Sequence, residues 1–130
     1  MSLSLRFDSP DRSMVFTGDT GPCQTVEGFA KGAQLLVGEM ADVERTVEKI
    51  RQNSPYMSQE RVDMMMQHMS QHHLTPELLG DLASRAGVEH VVAVHITLDS
   101  ITEEMKADYV AKIASRFDGK ITISEDLAQY

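Results

Sequence analysis

Two short apolar runs each end in a side chain able to hold a metal ion: Val15-Phe16-Thr17-Gly18-Asp19 and Val91-Val92-Ala93-Val94-His95. In open α/β sheets the loops beyond the carboxyl ends of the strands converge on one rim, so two such termini can meet there. Asp supplies a hard anionic oxygen that can bridge two cations, and His a borderline nitrogen. Together they suit Zn²⁺ or a similar divalent ion. The plainer alternative keeps Asp19 as a helix cap and His95 as a core histidine, and spacing alone favours it, because two ligands do not complete a site.

A second grouping is His72-His73-Leu74-Thr75. His73 stands just before a helix start near the same rim, where an imidazole could donate to a developing anion; a partly exposed loop histidine is the alternative. His68 and His72, four apart, read as a solvated pair on one helix face. His90 opens a strand on the opposite rim and reads as structural or exposed. Cys23 follows Gly-Pro at a helix start, where the dipole could lower its thiol pKa, but with no base nearby it reads as a small buried residue. Glu39, at the end of another strand, reads equally as support behind the rim or as an exposed carboxylate. Met64, Met65, Met66 and Met69 read as a core-facing stripe.

The elements that must position these groups follow from periodicity and breakers. Leu3–Phe7 alternates apolar and polar residues like a half-buried strand, Asp8–Arg12 is a Pro-containing turn, and Ser13–Thr17 returns as a second strand. Val26, Phe29 and Ala30 carry helical spacing up to Gly32. Leu35-Leu36-Val37 has the look of a strand buried on both faces. Val43, Val47 and Ile50 stripe a helix over 42–52, broken by Asn53-Ser54-Pro55, and Ser58 caps the next. Thr75-Pro76-Glu77 is a strong helix start, and Gly87 ends that helix. After Val91–Val94, a helix over 102–117 turns Met105, Tyr109, Val110, Ile113 and Phe117 inward, and Asp118-Gly119 leads into Lys120–Ile123. The order β-β-α-β-α-α-α-β-α-β predicts an α/β layered fold.

Composition narrows the function classes. The chain has 130 residues and 42% hydrophobic content, with 12 Lys+Arg against 20 Asp+Glu and a net charge of −8. Such a chain is a poor electrostatic partner for nucleic acid or an anionic membrane. It holds no apolar run of membrane-spanning length. A single cysteine, Cys23, cannot close an internal disulfide, so a reducing cytoplasm is the expected compartment.

Several segments in order resemble the metallo-β-lactamase superfamily, in its ribonuclease-Z-like branch of hydrolases. Arg6-Phe7-Asp8-Ser9-Pro10-Asp11-Arg12-Ser13 followed by Phe16-Thr17-Gly18-Asp19-Thr20-Gly21-Pro22 resembles its hairpin and S-G-D-T segment. Ala30-Lys31-Gly32-Ala33-Gln34-Leu35-Leu36-Val37-Gly38-Glu39 resembles its A-x-G-A-D-L-L-I-x-E strand. His73-Leu74-Thr75, Ala83-Ser84-Arg85-Ala86-Gly87-Val88 and Val91–His95 resemble its H-x-T…A-G-V…L-V-L-T-H segment.

The resemblance implies a fold that is the C-terminal half of an αββα sandwich, a mixed β-sheet with flanking helices. It implies a dinuclear hydrolase in the intact parent, with zinc the expected metal and a metal-bound hydroxide attacking an ester, phosphodiester or lactone-like bond. Asp19 would bridge the metals, His95 would hold the second, and His73 would act catalytically as proton donor or oxyanion stabiliser. The superfamily's H-x-H-x-D-H motif occurs nowhere in the chain. Residues 1–130 are therefore expected to be a single partial domain, Met1-Ser2-Leu3 reads as a short leader, and the residues leave open whether an Asp–His pair alone holds an ion. Leu74 stands where true tRNA-processing enzymes carry Ser, and Ile96-Thr97-Leu98-Asp99 lacks their aromatic and basic stretch, so a small molecule or another phosphodiester is the expected substrate. A second expectation belongs to another class: an inactive half-domain that forms a homodimer through the sheet face its missing half would cover.

Overall fold

The computed structural model describes residues 3–98 and 100–129, so the readings placed on Met1-Ser2 and Asp99 lie outside the described residues. Ten elements follow in the predicted order: β1 Leu5–Asp8, β2 Ser13–Phe16, α1 Gln24–Ala30, β3 Leu35–Glu39, α2 Val43–Asn53, α3 Gln59–His72, α4 Pro76–Ala86, β4 His90–Val94, α5 Glu103–Ala114 and β5 Lys120–Ile123. The strands form one sheet in the order β1-β2-β3-β4-β5. The β1–β2 hairpin is antiparallel and the other pairs are parallel, so β2, β3, β4 and β5 send their carboxyl ends to one rim.

Alternation along the strands divides the sheet into two unlike faces. Val15, Leu36, Val91 and Ala93 point into the main core with Ala30, Leu79, Ala83, Tyr109 and Ile113 from α1, α4 and α5. Leu5, Phe7, Met14, Phe16, Leu35 and Val37 occupy the alternate positions, where Leu5 is 53% and Phe7 52% exposed. The expectation that Leu35-Leu36-Val37 is buried on both faces is corrected: only Leu36 is buried, because the helices pack on one side. The expectation for Val110 fails similarly, since it lies at the solvent edge of α5 while Tyr109 and Ile113 face inward.

Local signals at α4 work as the sequence predicts. The Thr75 hydroxyl accepts the Leu78 N–H at 3.3 Å, Pro76 opens the helix, and Gly87 closes it in the left-handed region. α2 and α3 form a separate helical pair above the rim, with Val43, Val47 and Val62 buried between them and Met57, Met65 and Met69 packed around. Of the methionine stripe, Met64 and Met66 remain exposed.

Asp42 anchors this pair to the body. Its carboxylate accepts the Arg45 N–H at 3.0 Å as the α2 cap, the Arg45 guanidinium at 2.7 Å and the buried Tyr109 hydroxyl at 2.8 Å. Burial pushes the Asp42 pKa up, but the Arg45 N–H, the guanidinium and the Tyr109 hydroxyl together outweigh it and hold the carboxyl below 3.8. Burial and the Asp42 charge leave the Tyr109 phenol pushed up to about 12. Asp42→Ala removes a cap and strands a buried hydroxyl, so it is expected to cost about 2–4 kcal/mol in urea denaturation at pH 7. Because the folded pKa is depressed, this stabilisation is present above pH 3.8 and fades as pH falls through the folded value. A difference that does not shrink on acidification contradicts the assignment.

Candidate functional site

The rim is built from loops that follow β2, β3 and β4 and from the α3–α4 turn. After β2, Thr17 is fully buried; its hydroxyl accepts the Glu39 N–H at 3.1 Å and donates to the Gly18 carbonyl at 2.8 Å. Gly18 takes a φ of 63°, which lets the chain turn sharply into Asp19. Gly21 then passes so close to the end of α3 that a Cβ there would run into the Gln71 carbonyl. Backbone bonds tie the other segments in: Met40 N–H donates to Val94 O at 3.0 Å, and Ala41 N–H to Leu74 O at 2.8 Å.

These loops bring the predicted residues together. His95 Nδ1 lies 2.9 Å from Asp19 Oδ1, with both side chains more than half exposed. Asp19 is thus not the α1 cap, a position taken by Cys23, and His95 is not a core histidine. His95 has a φ of 54°, a left-handed conformation that costs a residue with a Cβ roughly 1–2 kcal/mol. Such strain persists where surrounding structure over-determines it, and here it turns the imidazole toward Asp19 at the strand end. The His73 and His95 ring centroids are 6.3 Å apart. Gly18, Asp19, Thr20, Gly21, His72 and His73 border one open cleft.

Behind His73 stands Glu39, only 2% exposed. Its Oε2 lies 3.1 Å from His73 Nδ1, while Oε1 accepts the Leu74 N–H at 2.8 Å and the Thr20 N–H at 3.3 Å. Of the two readings of Glu39, support behind the rim holds and the exposed carboxylate does not. With Glu39 ionised, Nδ1 carries the proton and donates, which leaves Nε2 as the nitrogen free for chemistry. Burial raises the Glu39 pKa, opposed by the Leu74 N–H and by His73. The parts played by Thr17 and Thr20 carried no recognisable sequence signal beyond their place around Gly18-Asp19.

Of the remaining sequence candidates, His72 reaches the edge of the cleft, and the others lie apart from it. His68 and His72 are exposed on α3, and His90 Nε2 pairs with the Thr122 hydroxyl at 2.9 Å on the opposite rim. Cys23 is exposed rather than buried, because it caps a short helix at the surface. Backbone N–H groups of Val26 and Thr25 lower its thiol pKa. Asp19 and His95 offer an oxygen and a nitrogen suited to one divalent ion. No group of three or more His, Cys, Asp or Glu side chains forms a ready metal cage among the described residues. The donor chemistry therefore fits part of a metal site. No described helix is long and apolar enough to cross a membrane.

The chain is similar to known proteins over nearly its whole length. The chain is 31% identical over 127 residues to ribonuclease Z of Mycobacterium sp. strain KMS, covering 97% of this chain and 40% of that protein. It is 26% identical over 126 residues to ribonuclease Z of Mycobacterium tuberculosis strain H37Rv, covering 97% and 41%. The chain thus spans about two-fifths of the length of the curated relatives it matches. Among solved structures, the metallo-β-lactamase fold protein YhfI from Bacillus subtilis aligns with a TM-score of 0.63 at 17% identity, over 94% of this chain and 41% of that one. The short form of human tRNase Z aligns with a TM-score of 0.54 at 13% identity, over 96% and 35%. No protein-family model matches the chain. The fold is the mixed-sheet α/β half seen in those proteins.

Glu39→Gln tests the buried carboxylate. A raised folded pKa means that wild-type stability falls as pH climbs from 4.5, the ordinary value, through the folded value. The amide does not titrate, so the stability of Glu39→Gln relative to wild type should rise across that window and then level off. Parallel pH profiles of the urea midpoint count against this.

Proposed function

We propose, for a chain that belongs to the ribonuclease-Z-like branch of the metallo-β-lactamase superfamily, that residues 1–130 carry one half of the active site of a metal-dependent hydrolase. The observation that carries this reading is the meeting of Asp19 and His95 at 2.9 Å on the rim, with His73 beside them on its buried carboxylate. Asp19 and His95 would hold divalent metal, zinc by the nature of the donors, and the other ligands would come from outside this chain. Divalent ions in such a site act as Lewis acids that lower the pKa of water and stabilise charge on a reacting oxygen.

This chain's own residues do three further things. Glu39 fixes the His73 tautomer, so that Nε2 faces the cleft and can deliver or hold a proton at a leaving or anionic oxygen. The Glu39 contacts to Leu74 and Thr20 keep that imidazole in register with the Asp19 loop. The left-handed turn at His95 holds its ring against Asp19 before any ion arrives, which reduces the reorganisation needed to bind one. The bond cleaved is of ester type: carboxylic ester, phosphodiester or lactone. The relatives' name describes a ribonuclease, which favours a phosphodiester, while the charge of −8 argues for a substrate smaller than a nucleic acid.

Metal analysis and kinetics on the complete metal-loaded hydrolase separate these roles. Asp19→Ala should bind fewer ions than the unaltered protein. His73→Ala should keep its metal while losing roughly 10²–10⁴-fold in kcat. Two ions retained in Asp19→Ala, or metal lost in His73→Ala, would reverse the assignment.

The open sheet face favours a second reading for the chain by itself, as a half-domain that forms a homodimer. Phe7 and Phe16 pack edge-to-face there at 5.9 Å, and Leu5, Phe7 and Phe16 are 53%, 52% and 37% exposed. A contiguous apolar face of this kind favours association. Light scattering should give a dimer mass that Phe7→Glu with Phe16→Glu converts to monomer; a monomeric unaltered chain at high concentration rejects the idea.

A further inference from the structure

The rim chemistry leaves two histidines without a task. His68 and His72 are four residues apart on α3 and share one of its faces. Both are exposed, and neither ring makes a hydrogen bond or ion pair among the described residues. Their ring centroids lie 4.5 Å apart with the planes at 56°.

That separation has a chemical meaning. Imidazole binds a late transition metal at about 2.0–2.1 Å, and the donor nitrogen is roughly 1.1 Å from the ring centre, so each centroid would lie roughly 3.2 Å from a shared ion. Two rings at a right angle about the ion then stand roughly 4.5 Å apart, and two rings at the tetrahedral angle roughly 5.2 Å. The observed spacing matches the right-angled arrangement. Octahedral and tetragonal ions such as Ni²⁺ and Cu²⁺ take up neighbouring ligands in this way, whereas structural Zn²⁺ prefers a tetrahedron.

We propose that His68 and His72 form a bidentate surface site for a divalent late transition-metal ion of the Ni²⁺ or Cu²⁺ type, with water at the remaining positions. The helix pre-arranges the two rings, since packing of Val62, Met65 and Met69 against α2 fixes the backbone that carries them. His72 is the last residue of α3, where the outward carbonyls give a helix end its partial negative charge and favour a cation. The site is separate from Asp19 and His95, although His72 also borders the cleft, so a bound ion would add positive charge at its lip.

The test is a Ni²⁺ calorimetric titration of the tag-free chain, with Asp19→Ala and His95→Ala present so that the rim contributes no site. One Ni²⁺ per chain is expected, with affinity at least tenfold weaker after His68→Ala or after His72→Ala, and with Cu²⁺ tighter than Ni²⁺. Circular dichroism checks that each variant keeps its helix content. The same comparison in the chain with Asp19 and His95 intact gives an independent measure: either histidine variant should lower Ni²⁺ uptake by one equivalent. Absence of Ni²⁺ uptake, or unchanged affinity and stoichiometry in either histidine variant, overturns the proposal. The status of Asp19 and His95 in the hydrolase reading is untouched by either result.

Discussion

A single buried carboxylate holds the rim together. Glu39 ends β3, and its two oxygens receive the Leu74 N–H, the Thr20 N–H and the His73 ring from two other segments. Its own N–H is taken by Thr17, so the end of β3 is fastened to the β2 loop by backbone as well as side chain. A carboxylate placed under this much protein is costly to keep ionised, and the opposing donors offset that cost only in part, as the raised pKa records. The same interaction gives the rim its definition. Without an acceptor at Glu39, two backbone N–H groups and an imidazole would each need a new partner.

The sheet explains why such a rim forms at all. Three parallel neighbours align β2, β3, β4 and β5, so the loops after β2, β3 and β4 emerge side by side, while α4 begins right after His73-Leu74. Helices α1, α4 and α5 cover one face and fill the core, and the other face keeps Phe7 and Phe16 in contact with solvent. The α2–α3 pair rests on its own small cluster and on the Asp42–Arg45–Tyr109 contacts. That arrangement sets the end of α3 against Gly21 and thereby places His72 and His73 beside Asp19.

What could be read from the sequence was whatever depends on neighbours along the chain. Thr75-Pro76-Glu77 and Gly87 delimit α4 by local capping alone, and the strand termini at Asp19 and His95 follow from short apolar runs. The burial of Glu39 was not readable in this way, because the groups that cover it arrive from His73 and Leu74, far along the chain. Cys23 and Val110 went astray for the same reason in reverse: each has a local pattern consistent with burial, and no partner element lies over it. The one-sided covering of Leu35 and Val37 is likewise a property of where helices pack, which an apolar triplet cannot express.

Charge bears on the substrate in a way that net composition alone conceals. Several positive side chains are already engaged: Arg45 lies between Asp42 and Asp108, Lys106 between Glu103 and Glu125, and Lys112 on Asp108. Each such pair is close to neutral a Debye length away, so these residues exert little pull on a distant polyanion. Around the cleft itself the ionisable groups are Asp19 and the histidines, with Glu39 beneath. If the proposed hydrolase takes RNA, these paired side chains supply little of the charge that would gather its phosphates.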